Sequence, residues 1–193
     1  LHGTIDCVAN LQRRHPSCVK NFDDIESITT EHGKAAFEHS GWIALPDKSL
    51  TTTSARMSVQ YAAAAQLVDG QVLMAQFSVD KLYRPLLREL MAKIVPTHNT
   101  ELDSVEGQGL NWRTNMTVKF RGGKELRESV KAPRGIEPTV SNEDIVNKWR
   151  RLVDGVLNLE KQEKIEECVL GLDKLADVRE LSRLLAGKVK SII

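Results

Sequence analysis

The sequence predicts an α+β fold in which a mixed middle part is flanked by helices. Apolar residues repeat with helical spacing at the beginning and the end of the chain, whereas β-branched residues alternate near residue 25 and two alternating segments flank a Gly-Gly turn near residue 122. Because the strand patterns lie between the helical ones, an α+β arrangement is favoured. The chain has 193 residues, of which 41% are hydrophobic, and can bury a core.

The first predicted element is an amphipathic helix. Ile5, Val8, Ala9 and Gln12 share one face of this helix, at spacings of 3, 4 and 7 from the first. We expect the helix to end just before Pro16, since the residue before a proline is pushed out of the α region. A loop should follow.

The next predicted element is a strand in the segment DDIESITTE, where β-branched residues alternate. The segment after it, HGKAAFEHSGWIALPDKS, contains Gly33, Gly41 and Pro46 as breakers. We predict strand and loop there.

An unusually small and apolar helix is predicted in the segment TTTSARMSVQYAAAAQLVDG. It should begin within 51–54, where hydroxyls can cap free amides, and end at Asp69-Gly70, because glycine tolerates the left-handed C-terminal turn. Alanines at 62–65 leave little side chain on any face, which predicts burial on several sides. Taken alone, Tyr61 in this helix is best interpreted as a core tyrosine whose hydroxyl bonds a backbone group.

A second helix is predicted from Arg84 to Lys93, with Pro85 in its first turn. Its apolar stripe is formed by Leu86, Leu87, Leu90 and Ile94.

The segment TNMTVKFRGGKELRESV predicts an antiparallel hairpin. A loop of Gly122-Gly123 alone would place Phe120 opposite Glu125. A three-residue loop through Lys124 would instead place Phe120 opposite Leu126 and Met116 opposite Val130 on one face. We favour the three-residue loop.

Helices are predicted for the end of the chain. Ser141 and Asp144 resemble a capping box, and the first helix after them has an apolar stripe. Two further stretches carry the stripes Ile165, Cys168, Val169, Leu172 and Val178, Leu181, Leu185.

Composition excludes several function classes. The 27 Lys and Arg residues balance 26 Asp and Glu residues, so no overall field would attract nucleic acid or an anionic membrane. No apolar run approaches the roughly 18 residues that span a bilayer, and the first residues do not resemble a signal peptide. The three cysteines, Cys7, Cys18 and Cys168, form no CxxC pair and are expected to be buried, inert thiols. An intracellular protein, cytoplasmic or mitochondrial, is predicted.

No spacing in the chain predicts a phosphate loop, a zinc site or a nucleophile motif. RGGK lacks the spacing of a phosphate loop and leads into a strand. His32 and His39 lie seven residues apart without a nearby cysteine, so solvated or hydrogen-bonded histidines are favoured over a metal site. Residue patterns alone therefore lead to a soluble α+β domain with helical flanks.

The order of these segments resembles the C-terminal portion of the MmgE/PrpD family, which includes 2-methylcitrate dehydratase and cis-aconitate decarboxylase. The most specific motifs are ARMSVQYAAAAQLVDG, similar to the family helix with Gln-Tyr, small residues and a closing Asp-Gly, and YRPLLRELMAKI, similar to its Arg-Pro helix. HGTIDCVANL, VKFRGGKELRESVKAPRG and PTVSNEDIVNKWRRLVDGVL agree in kind and order.

The resemblance implies a domain organisation. Residues 1–19 would belong to an all-helical domain, 20–138 would form an α+β lid domain, and 139–193 would be helices that return to the helical domain. It also implies a lyase without cofactor or metal, in the form of a homodimer, whose substrate is a small tricarboxylate bound between the two domains. No nucleic acid or membrane partner is expected.

Three residues match functional positions of the family. Tyr61 matches the tyrosine of the Gln-Tyr motif and would face the substrate as a hydrogen-bond or proton donor. Arg56 matches an arginine that would pair with a substrate carboxylate, and His2 matches a histidine of the substrate site. The interpretations without function are a surface ion pair for Arg56 and a frayed terminal residue for His2.

The remaining functional groups of the family belong to its N-terminal half, including a lysine just before the position of Leu1. Tyr61 and Arg56 cannot replace that set, so these 193 residues are expected to be inactive alone. Within the family, ARMSVQY and YRPLLREL resemble the decarboxylase branch more than the bacterial methylcitrate dehydratases. The alternative hypothesis is a non-catalytic remnant or interaction module that self-associates through exposed apolar helix faces.

Overall fold

The computed structural model of the chain describes residues 1–44, 50–105, 109–187 and 189, and for Cys18 the backbone alone. The chain divides into two compact units, unit 1 (Leu1–Thr139) and unit 2 (Val140–Ile193). Among the described residues, no helix is long and apolar enough to cross a membrane.

Unit 1 combines helices with a sheet. Its elements are, in chain order, α1 (His2–Arg14), α2 (Pro16–Lys20), β1 (Ile25–His32), α3 (Lys34–Ser40), α4 (Thr52–Arg56), α5 (Val59–Asp69), α6 (Val79–Leu82), α7 (Pro85–Lys93), β2 (Ile94–His98), β3 (Thr114–Phe120) and β4 (Glu125–Val130). Unit 2 has α8 (Asn142–Val153), α9 (Leu159–Leu170) and α10 (Arg179–Leu185). The predicted α+β class is confirmed, with its antiparallel hairpin and its buried small-residue helix.

The sheet is mixed and has the strand order β2-β1-β3-β4. Strand β1 pairs with β2 in parallel, and the other neighbours are antiparallel. The sequence analysis missed β2: it assigned Ile94 to the stripe of the preceding helix, but the chain becomes extended at this residue. The parallel pair places the ends of β1 and β2, His32 and His98, side by side.

Helix α5 lies in the centre of unit 1. Its alanines at 62–65 are completely inaccessible to solvent, and both α1 and α7 pack against the helix. Small side chains let neighbouring backbones approach closely, and burial on several sides is confirmed. The helix ends with Gly70 at φ 68°, the predicted left-handed C-terminal turn.

The beginning of this helix differs from the prediction. The chain first forms the short α4, whose Thr51 hydroxyl accepts a hydrogen bond from the Ser54 amide at 3.1 Å. It breaks after Arg56 and starts α5 with a second cap, in which the Ser58 hydroxyl accepts from the Tyr61 amide at 3.2 Å. The hydroxyls of Thr51 and Ser58 therefore cap two separate helices where the pattern predicted one.

The hairpin forms, but both predicted registers are wrong. Val118 lies opposite Leu126, and the Phe120 amide donates to the Lys124 carbonyl, so the turn occupies 121–123. Gly122 and Gly123 adopt φ values of 89° and 86°, which a side chain rarely tolerates. The predicted common face survives, because a register shift of two residues keeps each side chain on its side of the sheet.

Two segments predicted as loop or strand are helical. Residues 34–40, predicted as strand and loop, form α3, and α2 replaces the loop expected after Pro16, which begins that helix. Pro46 lies outside the described residues. The first helix ends before Pro16 as predicted, and the helix predicted from Arg84 begins one residue later, with Arg84 as its N-cap.

Unit 2 begins with the predicted capping box, in which the Ser141 hydroxyl accepts from the Asp144 amide at 3.1 Å. The two further predicted helices are α9 and α10, although α9 ends at Leu170 and leaves Leu172 beyond it. The assignment of 1–19 and 139–193 to an all-helical domain, and of 20–138 to a lid, stays a prediction.

Two of the three thiols are buried as predicted, Cys7 and Cys168. Burial raises the pKa of Cys7 to about 12, with further contributions from Glu128 and Asp6. The side chain of Cys18 lies outside the described part of the chain.

Candidate functional site

Tyr61 points into the protein and is fully buried. Its hydroxyl donates a hydrogen bond to the Gln76 carbonyl, and its ring packs against Phe77 with 5.5 Å between ring centroids. Burial raises the pKa of Tyr61 to about 12, while the nearby Arg84 guanidinium acts in the opposite direction. The phenol is therefore neutral at physiological pH, and its proton is engaged by the backbone.

Arg56 lies at the end of α4 and is held without a carboxylate. Its guanidinium carbon is 5.7 Å from the centre of the Phe77 ring, and one Nη atom approaches the Met74 sulfur at 3.9 Å. The buried Nε atom has no hydrogen-bond partner, and no acidic side chain pairs with Arg56 in the part of the chain that the structure describes. The charge of Arg56 is thus available to an anion.

Phe77 brings these two predicted residues together, since its ring contacts both of them. The backbone of Phe77 is held by Thr52, whose hydroxyl donates to the Phe77 carbonyl at 3.1 Å. Tyr61, Arg56 and the turn Met74–Phe77 form one group of contacting residues, which we call the tyrosine cluster.

The tyrosine cluster is bordered by an ion pair. The two Nη atoms of Arg84 donate parallel hydrogen bonds to the two carboxylate oxygens of Asp69, at 2.7 and 2.9 Å. Arg84 belongs to the Arg-Pro motif and Asp69 to the closing Asp-Gly motif, so the two most specific sequence motifs meet here. A bidentate pair of this kind fixes geometry as well as contributing energy.

His2 is not part of the tyrosine cluster. It is exposed at the first turn of α1, whereas Tyr61 and Arg56 are on and before α5. The residue before it, Leu1, lines a cavity of about 580 Å³ in unit 1.

This cavity lies where the parallel strands β1 and β2 end, and we call it the edge cavity. Its polar wall carries both signs of charge and includes His32, Lys34, Glu38, His39, Asp103, Ser104 and Asn111. Its apolar wall includes Val59, Leu102 and Trp112. Crevices at the carboxyl ends of parallel strands are a frequent place for ligands. The sequence analysis considered His32 and His39 only as metal ligands and missed the cavity that they share.

His32 is buried on the wall of the edge cavity, with 4% of its surface exposed. Its Nε2 atom lies 3.1 Å from the hydroxyl of Thr30, which is itself completely buried. Burial lowers the pKa of His32 to about 4; the positive amino terminus adds to this effect and Glu31 opposes it. The ring is therefore neutral at physiological pH.

Asp103 holds the rim of the edge cavity in place. Its Oδ1 accepts from the Lys34 amide at 2.6 Å and from His98 Nε2 at 2.9 Å. It thereby ties the start of α3 to the end of β2. The available sequence signal was the glycine directly after β1: an added Cβ at Gly33 would come within 2.3 Å of the Leu102 carbonyl oxygen, so only glycine fits this approach.

Within the described ranges, no group of three or more His, Cys, Asp or Glu side chains could hold a metal ion. A larger hollow, of about 920 Å³, lies in unit 2, where Arg150 is paired with Glu166 at 2.6 Å. Because its best cation is already neutralised, this hollow offers less to an anion than the tyrosine cluster does.

Comparison with known proteins gives a consistent result. Residues 1–174 match the model of the MmgE/PrpD C-terminal domain. A cis-aconitate decarboxylase of Aspergillus terreus is 35% identical over 195 residues, covering 99% of this chain and 39% of that protein. The cis-aconitate decarboxylase-like protein oryM of Aspergillus oryzae is 34% identical over 190 residues, covering 97% and 39%. A cis-aconitate decarboxylase of Mus musculus is 30% identical over 133 residues, covering 69% and 27%. The chain thus spans about two fifths of the length of its fungal relatives.

Proposed function

The chain belongs to the MmgE/PrpD family, and we propose from this premise that it supplies part of a lyase that acts on a small tricarboxylate, as a cis-aconitate decarboxylase does. Two of the supporting relatives are named cis-aconitate decarboxylases and the third a cis-aconitate decarboxylase-like protein, which favours decarboxylation over the dehydration of 2-methylcitrate.

The observation that carries the proposal is the unpaired guanidinium of Arg56. Arginine binds carboxylates with two parallel hydrogen bonds, and a guanidinium stacked on an aromatic ring keeps its donors free at the edge. In the described structure those donors meet only the Met74 sulfur, a weak acceptor that a carboxylate would displace. A substrate with three carboxylates needs such a receptor.

The other two predicted residues, His2 and Tyr61, differ in how readily they can contact a ligand. His2 is exposed and can contact a ligand directly. Tyr61 has to exchange the Gln76 carbonyl for a substrate atom before it can donate its proton. Its contribution to turnover therefore depends on a shift of the Met74–Phe77 turn.

Decarboxylation breaks a carbon–carbon bond, releases CO2 and leaves an electron pair on carbon that must take up a proton. The reaction needs a positioned acid and cationic groups against the remaining carboxylates. Arg56, Tyr61 and His2 are too few for these tasks. We propose that the 193 residues alone do not catalyse the reaction. The other groups would come from a part of the protein that corresponds to the portion of the relatives that this chain does not cover.

The test is CO2 release from cis-aconitate, measured for the 193-residue chain and for the protein made from the complete reading frame of its gene. We expect release by the complete protein only, with kcat/KM about tenfold or more lower in R56A, because a charge-assisted contact to the substrate is lost. R127A is the matched control, since its side chain is 78% exposed and pairs with Glu125.

Release by the 193 residues alone would contradict the incompleteness proposal. No release by the complete protein, either from cis-aconitate or as dehydration of 2-methylcitrate, would contradict the lyase proposal and leave the self-associating module. Light scattering on the same preparations tests the proposed homodimer, which a monomer would exclude. The predictions that no nucleic acid, membrane or cofactor takes part, and that the compartment is cytoplasmic or mitochondrial, stay predictions.

A further inference from the structure

The edge cavity contains polar groups that the proposed roles of Tyr61, Arg56 and His2 leave unused. It lies at the carboxyl ends of β1 and β2, and the buried His32 lines it together with residues from α3 and from the segment after Asp103. Its contacts do not include Arg56 or Tyr61, which meet Met74, Gln76 and Phe77 instead.

The contact of His32 with Thr30 engages its Nε2 atom and leaves Nδ1 without a hydrogen-bond partner among the described residues. Among the described residues only Thr30 hydrogen-bonds to the ring, and it does so at Nε2. A threonine hydroxyl can donate to Nε2, in which case the ring carries its proton on Nδ1. A neutral imidazole in this tautomer offers one N–H donor to the cavity without adding a charge.

The rim supplies further donors. The Lys34 ammonium stands 4.0 Å from Glu38, a loose pair in which both side chains are about two thirds exposed. The Asn111 side-chain oxygen accepts from the Arg113 amide at 3.1 Å, so its NH2 group is left to donate. Asp103 also lines the cavity: its bonds from the Lys34 amide and His98 lower its pKa and keep it a carboxylate, and they engage both of its oxygens.

We propose that the edge cavity binds a small carboxylic acid, whose carboxylate accepts from His32 Nδ1–H at the wall and from Lys34 and Asn111 at the rim. The exposed apolar surface of Trp112 would receive the carbon skeleton. The identification of the ligand as a tricarboxylate rests on the proposed function, whereas the binding site rests on the cavity itself.

The test is an NMR titration of the 193-residue chain with tricarballylate, an unreactive saturated tricarboxylate, at constant ionic strength. We expect saturable shifts of the imidazole signals of His32 and His39 with a dissociation constant of about 1 mM, as is usual for a few exposed polar contacts. Shifts at His15 that equal those at His32 would overturn the proposal, because His15 lies away from the cavity, between α1 and α2.

Two substitutions separate the nitrogens of His32. In H32Q the amide occupies the place of Nε2 and keeps the bond to Thr30, so affinity should fall about fivefold. In H32N the amide occupies the place of Nδ1, so affinity should stay within about twofold of the wild type. Equal affinity in H32Q and the wild type would overturn the proposal. K34A, at an exposed position, should weaken binding about threefold without affecting folding, and an unchanged affinity there would contradict the rim contact.

The outcome is separable from that of the proposed function. Binding that H32Q weakens, in a gene product that releases no CO2, would keep this site and remove the lyase. Turnover of cis-aconitate by the complete protein with the same KM in H32Q and the wild type would keep the lyase and remove this site.

Discussion

Three consecutive residues of α5 show how differently two regions of unit 1 are built. All three are buried, but Tyr61 and Gln60 have their polar atoms bonded to the protein, whereas Val59 contributes to the wall of the open edge cavity. Successive residues of a helix point about 100° apart, so one short stretch can serve both regions. We call Gln60, Tyr61 and their partners the closed region, because their polar atoms bond to the chain itself. We call the edge cavity the open region, because it keeps hydrogen-bond donors for a ligand.

The motif that carries the family resemblance contributes to stability, whereas the groups that could bind a ligand lie beside it. The Gln-Tyr pair is part of the motif that predicted the family from the sequence, yet in this structure both side chains satisfy backbone groups. Groups that are free to meet a ligand lie next to the motif, at Arg56 on one side and in the edge cavity on the other. Residues with strong sequence signals are therefore not always those whose polar groups are free to bind a ligand.

The largest effect is expected for Gln60 in the closed region. Its amide nitrogen donates to the Met91 and Ile94 carbonyls, both at 2.9 Å, and its oxygen accepts from the Ala44 amide at 2.8 Å. Q60L removes these three hydrogen bonds, although the Met91 carbonyl keeps its bond from the Ile94 amide, and should lower the free energy of unfolding by about 3 kcal/mol. Urea denaturation measures this loss.

The control for Gln60 is Q71L, just beyond the end of α5, which should change the free energy of unfolding by less than about 0.5 kcal/mol. Equal losses in the two variants would mean that the buried amide does not hold α7 and β2 in place.

A smaller effect is expected for the pH dependence of stability at His32, in the open region. The folded chain keeps this ring neutral down to about pH 4, whereas the unfolded chain protonates it near its ordinary pKa of 6.5. The unfolded state therefore binds the extra proton, and stability falls as the pH drops from about 6.5 towards 4. At pH 5 the loss should be about 2 kcal/mol.

Urea denaturation at pH 7 and pH 5 measures this loss in the wild type, in H32Q and in H15Q. The loss should be reduced in H32Q and should persist in H15Q. An unchanged difference between the two pH values in H32Q would show that His32 is not held neutral by burial.

Much of the fold was predictable because its signals are local. The cap at Ser141, the left-handed Gly70 and the proline at the start of α7 each act within one turn of helix, and each was found where expected. The failures concern competition between local signals. The sequence does not show which of several hydroxyls caps α5, nor which residue of RGGK starts the turn.

The candidate site was less predictable, because its geometry depends on distant segments. Strand β2 was not recognised, so nothing in the sequence placed His98 and Asp103 beside His32. The orientation of Tyr61 depends on Gln76, 15 residues away, and the free charge of Arg56 depends on the lack of an ion-pair partner among the described residues. Such facts arise from tertiary packing alone.

One photo-CIDNP NMR experiment, in which an excited dye polarises accessible Tyr, His and Trp side chains, tests both regions together. We predict signals from Tyr83, Trp112 and His39, which are exposed, and none from the fully buried Tyr61. Saturating tricarballylate should reduce the Trp112 and His39 signals and leave that of Tyr83 unchanged. A polarised Tyr61 in the ligand-free chain, or Trp112 and His39 signals that tricarballylate does not change, would contradict the division into a closed and an open region.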